Sequence, residues 1–409
     1  MNRSIRLFTI IICLGTALYS FSQTNNKYLK RVGIVDNLHS EILDESRELY
    51  VQLPVSYDPE NAEKYPVVFI LDGEILMSYL SAAYDNYYGG FMPEMVLVGI
   101  NNGKHRTRDL TPTQIDTKYG MPFNEENGKS DKFLGFIETE LIPYLEQKYP
   151  ITNYRTLIGH SYGGLFTIST LLNRPELFAN YLAIDPSLDW DNQVLLKEAK
   201  SFITTKDFSS KSLFISLGGQ LHMQRPEITI ENVMEDDTDF TIFARSNIEF
   251  SEIIKESELT TFWKFYPREL HGTIPLPSIM DGLISLFEWY QMENTSLFNS
   301  PETSKDALYK VIHNRENKLR SHFGYSVPPY PEDLLNMSGY MYMDMEQLDK
   351  SKMFFELAIT YYPESANSYD SMADYYEAQG DKTNALKYVT KAFEISGDDY
   401  HKERMEQLK

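Results

Sequence analysis

One short stretch, residues 159–163, constrains the fold of this chain more than any other. It reads Gly-His-Ser-Tyr-Gly and follows a short run, residues 154–158, that has the character of a buried strand. The residues from Leu165 to Leu172 behind it have helical character. Strand, sharp turn and helix are the context that a G-x-S-x-G nucleophile elbow requires. The sequence therefore predicts a strained turn that lifts the Ser161 hydroxyl clear of a sheet.

Such an elbow makes two physical demands on its neighbours. Gly159 and Gly163 are expected to be small because the strand and helix backbones nearly touch there. The helix N-terminus offers backbone N–H groups and a positive dipole end to a developing oxyanion. We therefore expect the N–H of Tyr162 to be one oxyanion donor. The alternative interpretation of the motif is a glycine-rich turn with an inert serine.

Apolar runs of strand length recur on both sides of the elbow. Residues 43–54 alternate in polarity after Arg47 and, together with the stretch at 35–42, favour an antiparallel opening pair. Later strand-like apolar runs lie at residues 66–71, 95–100, 181–184, 212–217 and 261–266, and helical patterns lie at residues 130–149 and 280–291. Buried strands that alternate with helices predict a mostly parallel sheet covered on both faces. With the elbow, this pattern predicts an α/β protein of α/β-hydrolase architecture. Its site should lie at the carboxyl ends of the strands, where Gly73, Ser161, Asp185, Leu217 and His271 would converge.

A serine nucleophile needs a base, which in α/β-hydrolases comes last in the chain. His271 follows the last predicted strand and is therefore our candidate. His222 follows the preceding strand, where an acid is expected. His160 occupies the variable position of the elbow, and we expect its side chain to point away from the chemistry. The remaining histidines come too early or lie beyond the predicted sheet: His39, His105, His313, His322 and His401.

The acid of the triad is less well defined by the sequence. Its usual place follows the penultimate strand, where this chain has Gln220. We favour the cluster of residues 236–239 and name Asp237, although these carboxylates also suit a helix N-cap. The competing candidates are Asp185, Glu227, Glu231, Asp236, Asp239 and Glu269. A Ser–His pair without a carboxylate is a further alternative.

Three other features bear on the site. The loop after the strand at 66–71 should supply the second oxyanion donor, from the backbone N–H of Gly73 or Glu74. Trp190 is either a pocket wall or ordinary core packing. The sequence has no metal-ligand spacing and no phosphate or dinucleotide glycine pattern, so we predict neither a metal nor a cofactor.

Charge and the N-terminus restrict the setting. The formal net charge is -21, which argues against a nucleic-acid partner. Residues 1–22 have the pattern of a signal peptide, with Arg3 and Arg6 before an apolar stretch and a small-x-small site ending at Ser22. The stretch is too short for a comfortable membrane span. We therefore expect a secreted or periplasmic protein with no membrane span after signal removal, and without cysteine, because Cys13 is the only one.

Residues 332–409 have a different character and repeat at a spacing of 34 residues. Gly339, Tyr342 and Ala358 recur as Ala373, Tyr376 and Ala392. This pattern resembles the tetratricopeptide repeat; a plain helical appendage is the alternative. Two repeats are few, so we expect them to lean on a helix at 307–320 or on the catalytic domain. The predicted plan is a signal peptide (1–22), a hydrolase domain (30–298), a linker with a helix (299–331) and an all-α repeat region (332–409).

Four segments carry a family resemblance: 67–74, 106–112, 158–164 and 271–276. With them, residues 30–295 resemble the serine esterase family that includes S-formylglutathione hydrolases, mycolyltransferases, and enterobactin and salmochelin esterases. Arg-Thr-Arg-Asp-Leu-Thr-Pro at 106–112 and His-Gly-Thr-Ile-Pro-Leu at 271–276 resemble the siderophore-esterase branch in particular. The resemblance implies a serine esterase that uses Ser161 and His271. Gln220 departs from the many relatives that carry an acid there.

These features together favour a secreted or periplasmic serine hydrolase that cleaves carboxylic esters through an acyl-enzyme. The expected substrate is a small siderophore-type ester or an acylated saccharide. The alternative, of a different class, is a hydrolase-like binding or assembly protein whose helical repeats dock a partner protein.

Overall fold

The computed structural model describes residues 33–60, 63–222 and 224–409, so the predicted signal peptide lies outside the described residues. The strands in these residues, in chain order, are β1 Ile34–Ser40, β2 Glu45–Gln52, β3 Tyr65–Ile70, β4 Val96–Ile100, β5 Thr117–Lys118, β6 Met121–Pro122, β7 Ile151–His160, β8 Asn180–Ile184, β9 Ser212–Gly218 and β10 Thr260–Tyr266.

The α-helices alternate with these strands as far as residue 287 and then follow one another. They are α1 Gly73–Tyr87, α2 Arg106–Leu110, α3 Ser130–Phe136, α4 Ile142–Lys148, α5 Tyr162–Asn173, α6 Trp190–Phe202, α7 Ile242–Ile253, α8 Pro275–Phe287, α9 Lys305–Phe323, α10 Glu332–Asp344, α11 Leu348–Tyr361, α12 Ala366–Ala378, α13 Lys382–Ser396 and α14 Asp399–Leu408.

Eight of the strands form one sheet in the order β1-β2-β4-β3-β7-β8-β9-β10. The first pair is antiparallel, and β2 also runs antiparallel to β4. In the rest of this order, β4, β3, β7, β8, β9 and β10 all run parallel to one another. The predicted mostly parallel sheet of an α/β-hydrolase is therefore confirmed, as is the antiparallel opening pair.

Both faces of the sheet are covered, which explains why its central strands are apolar throughout. In β3, Val67 and Phe69 join the core on one face, whereas Val68 and Ile70 join the core on the other. Every residue of β3 is buried. Burial of one such side chain contributes about 1.5–3 kcal/mol to folding, so the sheet and its two helical layers form the stable frame that carries the site.

Prolines shift two helices from their predicted bounds. The amphipathic stretch 130–149 is not one regular helix, because a π-helical turn at Ile137–Leu141 separates α3 from α4. Pro143 lies in the first turn of α4 and has no N–H for a helical hydrogen bond. The closing helix begins at Pro275 rather than near residue 280, because proline is well accommodated in a first turn.

Helix α9 connects the hydrolase part to the repeats. Leu308 and Ile312 near its start share a core with Tyr342 of α10. Leu319 and Phe323 near its end share the core of the sheet. The repeats therefore pack on this helix, as expected, although it is longer than the predicted stretch 307–320.

The helices of the first repeat approach closely at a glycine. A Cβ atom at Gly339 of α10 would lie 2.4 Å from the ring of Phe355 on α11, so a larger residue would push the two helices apart. Within the described part of the chain, no helix is both long and apolar enough to cross a membrane.

Candidate active site

Ser161 lies at the sharp turn between β7 and α5. Its backbone has φ 59° and ψ −116°, a conformation that costs energy for any residue except glycine. Three backbone hydrogen bonds hold it there: its N–H donates to the carbonyl of Ile184 at 3.0 Å, and its own carbonyl accepts from Leu165 at 2.9 Å and from Ser187 at 3.1 Å. The turn is therefore the strained elbow that the motif predicts.

The glycines of the elbow differ in how much room they have. A Cβ atom at Gly159 would lie 2.1 Å from the carbonyl oxygen of Gly163, so only glycine fits at residue 159. A Cβ atom at Gly163 would have its nearest contacts at 3.5 Å, which is ordinary packing. The second tight position is Gly164, where a Cβ would lie 2.9 Å from Pro186. The size restriction predicted for Gly163 is therefore wrong, and it applies one residue later.

Matched alanine substitutions test this difference. Gly159→Ala should lower the free energy of unfolding by about 2–3 kcal/mol, the usual cost of forcing an atom into a packed site. Gly163→Ala should change it by less than about 1 kcal/mol, because a helical alanine offsets the added contact. Urea denaturation of the two variants measures both values. Equal midpoints for the two variants would show that the close approach at Gly159 does not matter.

The side chains of Ser161 and His271 meet at this turn. Nε2 of His271 lies 2.9 Å from Oγ of Ser161, and its Nδ1 lies 2.6 Å from Oδ2 of Asp185. A carboxylate at Nδ1 fixes the tautomer that leaves Nε2 free to accept the serine proton. The three groups thus have the arrangement of a nucleophile, a base and an orienting acid.

Asp185 is well suited to the third position. It directly follows β8, its backbone has φ 43°, and its side chain is buried, with 2% of the residue exposed. Oδ1 accepts a hydrogen bond of 2.8 Å from the N–H of Gly218, at the end of the neighbouring strand. The other oxygen is thereby aimed at His271.

The choice of Asp237 as the acid is wrong. Asp237 is an exposed residue of the segment before α7, and Asp185 occupies the place at Nδ1 of His271. Its neighbour Asp236 accepts hydrogen bonds from Thr238 and Thr241 and pairs with Arg225, so that carboxylate stabilises its own loop. Glu269 likewise accepts a hydrogen bond from Thr273 within the loop that carries His271.

Two helix starts lie beside the serine. Tyr162 is the first residue of α5, and Gly73 and Glu74 are the first two of α1, so their N–H groups have no acceptor within their own helices. A Cβ at Gly163 would lie 3.5 Å from the carboxylate of Asp72, the residue before α1, so the two helix starts are neighbours. The assignment of Tyr162 with Gly73 or Glu74 as oxyanion donors stays a prediction.

Arg106, which the sequence analysis did not assign a role, joins these two helix starts. Its guanidinium donates to both carboxylate oxygens of Asp72 at 2.8 and 2.9 Å. It also donates to the carbonyl of His160 at 3.1 Å. The residue before α1 and the residue before Ser161 are thereby held by one side chain. The only sequence signal was its place in the segment 106–112.

An aromatic cluster adjoins the elbow around Lys118. Nζ of Lys118 lies 5.1 Å from the ring centroid of Tyr162 and 5.5 Å from that of Trp190. It also lies 3.4 Å from Oδ2 of Asp189. Trp190 is fully buried and its indole N–H donates to the carbonyl of Thr113 at 3.1 Å. Of the two interpretations of Trp190, core packing is therefore the correct one, and Tyr162 and Lys118 lie nearer the surface.

Two other histidines have defined surroundings. Nδ1 of His222 accepts hydrogen bonds from the backbone of Gln224 and Arg225, so His222 stabilises its own loop. The expectation that the side chain of His160 points away from the chemistry is wrong. The ring of His160 lies against that of His271, with centroids 4.7 Å apart. Among the described residues, no group of three or more His, Cys, Asp or Glu side chains is placed to hold a metal ion.

The fold and the site define an α/β-hydrolase, and comparison with known proteins narrows this class. Residues 40–241 match the family described as "Putative esterase". Residues 332–365 and 366–399 each match the tetratricopeptide repeat. The match to this esterase family thus covers residues 40–241 and is followed by two such repeats, which confirms both resemblances seen in the sequence.

Several curated relatives are siderophore esterases. The chain is 28% identical over 237 residues to ferri-bacillibactin esterase BesA of Bacillus subtilis, which covers 53% of this chain and 81% of that protein. It is 33% identical over 170 residues to the siderophore triacetylfusarinine C esterase of Aspergillus fumigatus, covering 37% of this chain and 56% of that protein. The chain thus spans only about half the length of the second relative.

Solved structures show the same fold. An IroE-like serine hydrolase from Shewanella oneidensis aligns with a TM-score of 0.61 and 27% identity, over 80% of this chain and 98% of that one. An uncharacterised protein from Capnocytophaga ochracea aligns with a TM-score of 0.59 and 20% identity, over 92% of this chain and 99% of that one. Both structures thus share the fold of this chain over most of its length.

Proposed function

We propose that this protein hydrolyses carboxylic esters with Ser161 as nucleophile, His271 as general base and Asp185 as the acid that orients it. The observation that carries the proposal is the hydrogen-bonded chain from Oγ of Ser161 through the imidazole of His271 to the carboxylate of Asp185. The strained elbow supports it, because strain of this kind is kept where the surrounding structure enforces it for function.

In the first half of the reaction, Oγ of Ser161 attacks the ester carbonyl carbon while Nε2 of His271 takes the hydroxyl proton. The carbonyl oxygen becomes an oxyanion, which the N–H groups of Tyr162 and of Gly73 or Glu74 would stabilise. Collapse of this intermediate breaks the ester C–O bond. The leaving alkoxide takes the proton from His271, which leaves an acyl group on Ser161.

The second half repeats these steps with water. His271 takes a proton from a water molecule, whose oxygen attacks the acyl carbon. The new tetrahedral intermediate then breaks its bond to Oγ, and the proton on Nε2 returns to Ser161. The products are the alcohol released first and the carboxylic acid released second, and the enzyme is unchanged.

A siderophore-type ester is the substrate class that we favour, because two relatives are named siderophore triacetylfusarinine C esterase and siderophore enterobactin esterase. An acylated saccharide is the second candidate. We further propose that residues 1–22 direct export to the periplasm or the medium. N-terminal sequencing of the exported protein tests this proposal, and we expect the mature chain to begin at Gln23. The repeats are proposed to bind a partner protein.

The test uses the chain from residue 23 to 409 and a panel of esters: cyclic tri-ester siderophores, acetylated oligosaccharides and p-nitrophenyl acetate. We expect turnover of at least one ester and a single fluorophosphonate adduct, which mass spectrometry should locate on Ser161. Turnover confined to the siderophores would support the favoured class, and turnover confined to the saccharides would replace it. A protein inert to every ester and to the probe would contradict the enzyme proposal and favour a binding role.

A further inference from the structure

His160 is a partly buried titratable side chain that has no part in the reaction steps proposed above. Its Nε2 lies 2.8 Å from the backbone carbonyl oxygen of His271. A carbonyl can only accept, so this nitrogen must carry the proton and donate it. The residue next to the nucleophile is thus hydrogen-bonded to the backbone of the base.

The loop that carries His271 is a compact turn, in which the N–H groups of Thr273 and Ile274 donate to the carbonyl of Leu270, and neither of these bonds reaches the elbow. It runs from the end of β10 at Tyr266 to the start of α8 at Pro275, and Leu270, Gly272 and Thr273 within it are exposed. The carbonyl of Glu269 accepts from Gly219 at 2.8 Å, and Ile274 is buried at the far end. Between these two anchors, the contact with His160 joins the loop to the elbow.

The two hydrogen bonds of the His271 ring, to Ser161 and Asp185, do not by themselves fix the position of its backbone. An imidazole can reach both Ser161 and Asp185 from more than one backbone position, because its χ angles can compensate. The bond to the carbonyl oxygen removes this freedom. A misplacement of about 1 Å in a catalytic group can cost about 100-fold in rate, so such a restraint has a kinetic consequence.

The environment of His160 suits a neutral donor. Burial, together with the neighbouring His271 and Arg106, lowers the pKa of His160 to about 3, so its ring is uncharged at neutral pH. A permanent charge at this position would repel the imidazolium that forms on His271 during the reaction. Arg106 in turn holds the carbonyl of His160 at 3.1 Å, which fixes the donor residue itself.

We propose that His160 is a positioning residue for the base: its Nε2–H holds the backbone carbonyl of His271 and so keeps the imidazole in line with Ser161. This inference rests on the proposed ester hydrolysis. It adds a role to the variable position of the elbow, which the nucleophile motif leaves open.

A matched pair of variants of the chain from residue 23 to 409 tests the proposal. His160→Gln keeps an amide N–H of similar reach, whereas His160→Met has similar length and no donor. With p-nitrophenyl acetate, we expect the methionine variant to lose about 10- to 100-fold in kcat with KM changed less than threefold. Its labelling by the fluorophosphonate should slow by the same factor. The glutamine variant should recover at least tenfold of the lost kcat.

Several outcomes would overturn the positioning role. A folded methionine variant with the kcat of the unmodified protein would show that the hydrogen bond is dispensable. Equal losses in both variants would show that the ring and not the donor matters. If the methionine variant does not fold, His160→Phe, which keeps a ring without a donor, takes its place in the comparison. An unmodified protein without esterase activity would instead contradict the proposed function, which separates the two failures.

Discussion

Replacing Ser161 by alanine should lower kcat for ester hydrolysis by about a millionfold, the scale seen when a triad nucleophile is removed. The variant keeps the elbow, because alanine differs from serine only by the hydroxyl that lies 2.9 Å from His271. It should also lose all labelling by a fluorophosphonate. Steady-state assays with p-nitrophenyl acetate measure the loss in kcat, and gel fluorescence of the labelled protein measures the loss of labelling.

The control for this experiment is Ser187→Ala. Oγ of Ser187 lies 3.3 Å from Oγ of Ser161, and Ser187 is buried. It has no histidine partner in the hydrogen bonds of the described residues, so its loss should leave the covalent labelling in place. Labelling that survives in Ser161→Ala and disappears in Ser187→Ala would show that Ser187, and not Ser161, is the nucleophile.

The second large effect is expected for Asp185→Asn, which should lower kcat by about 10³- to 10⁴-fold. An asparagine amide can donate to Nδ1 of His271, which would place the ring proton on Nε2 and leave no base facing Ser161. The volume of the side chain hardly changes, and the carbonyl oxygen of the amide can still accept from Gly218. The loss should therefore be chemical rather than structural.

Asp237→Asn is the matched control, because it makes the same change at the carboxylate that the sequence analysis favoured. Asp237 is exposed, so we expect kcat within twofold of the unmodified protein. Steady-state kinetics and thermal melting of the two variants give the comparison. A large loss in Asp237→Asn alone would restore the sequence-based choice, and full activity in both variants would leave a Ser–His pair without a carboxylate.

The sheet was predictable from the sequence because its central strands are buried on both faces. A continuous apolar run such as 66–71 has few other structures open to it in a chain of this length. Helix bounds were less predictable where proline was involved. Pro275 is the first residue of α8, but proline is also common at the end of a loop. Local sequence preference therefore does not show where the helix begins, and the packing of α8 on the sheet does.

The site was predictable only where chain order and local pattern agreed. Ser161 has a motif and His271 follows the last strand, so both could be found. The acid could not, because Asp185 and Asp237 both lie between the nucleophile and the base in the chain. What separates them is the position of β8 between β7 and β9, with the N–H of Gly218 beside Asp185. That relation exists only in three dimensions, as does the contact of His160 with the carbonyl of His271.

Helix α9 and the linker behind it give the repeats a mechanical connection to the elbow. Phe323 packs edge-on against Tyr154 with ring centroids 5.1 Å apart, and the hydroxyl of Tyr325 donates to Thr152 at 2.9 Å. Both contacts are at the start of β7, and the other end of this strand is His160. At about 3.3 Å per residue, β7 is a rod of roughly 30 Å. Tension applied to the repeats would therefore load the same strand whose far end holds the nucleophile.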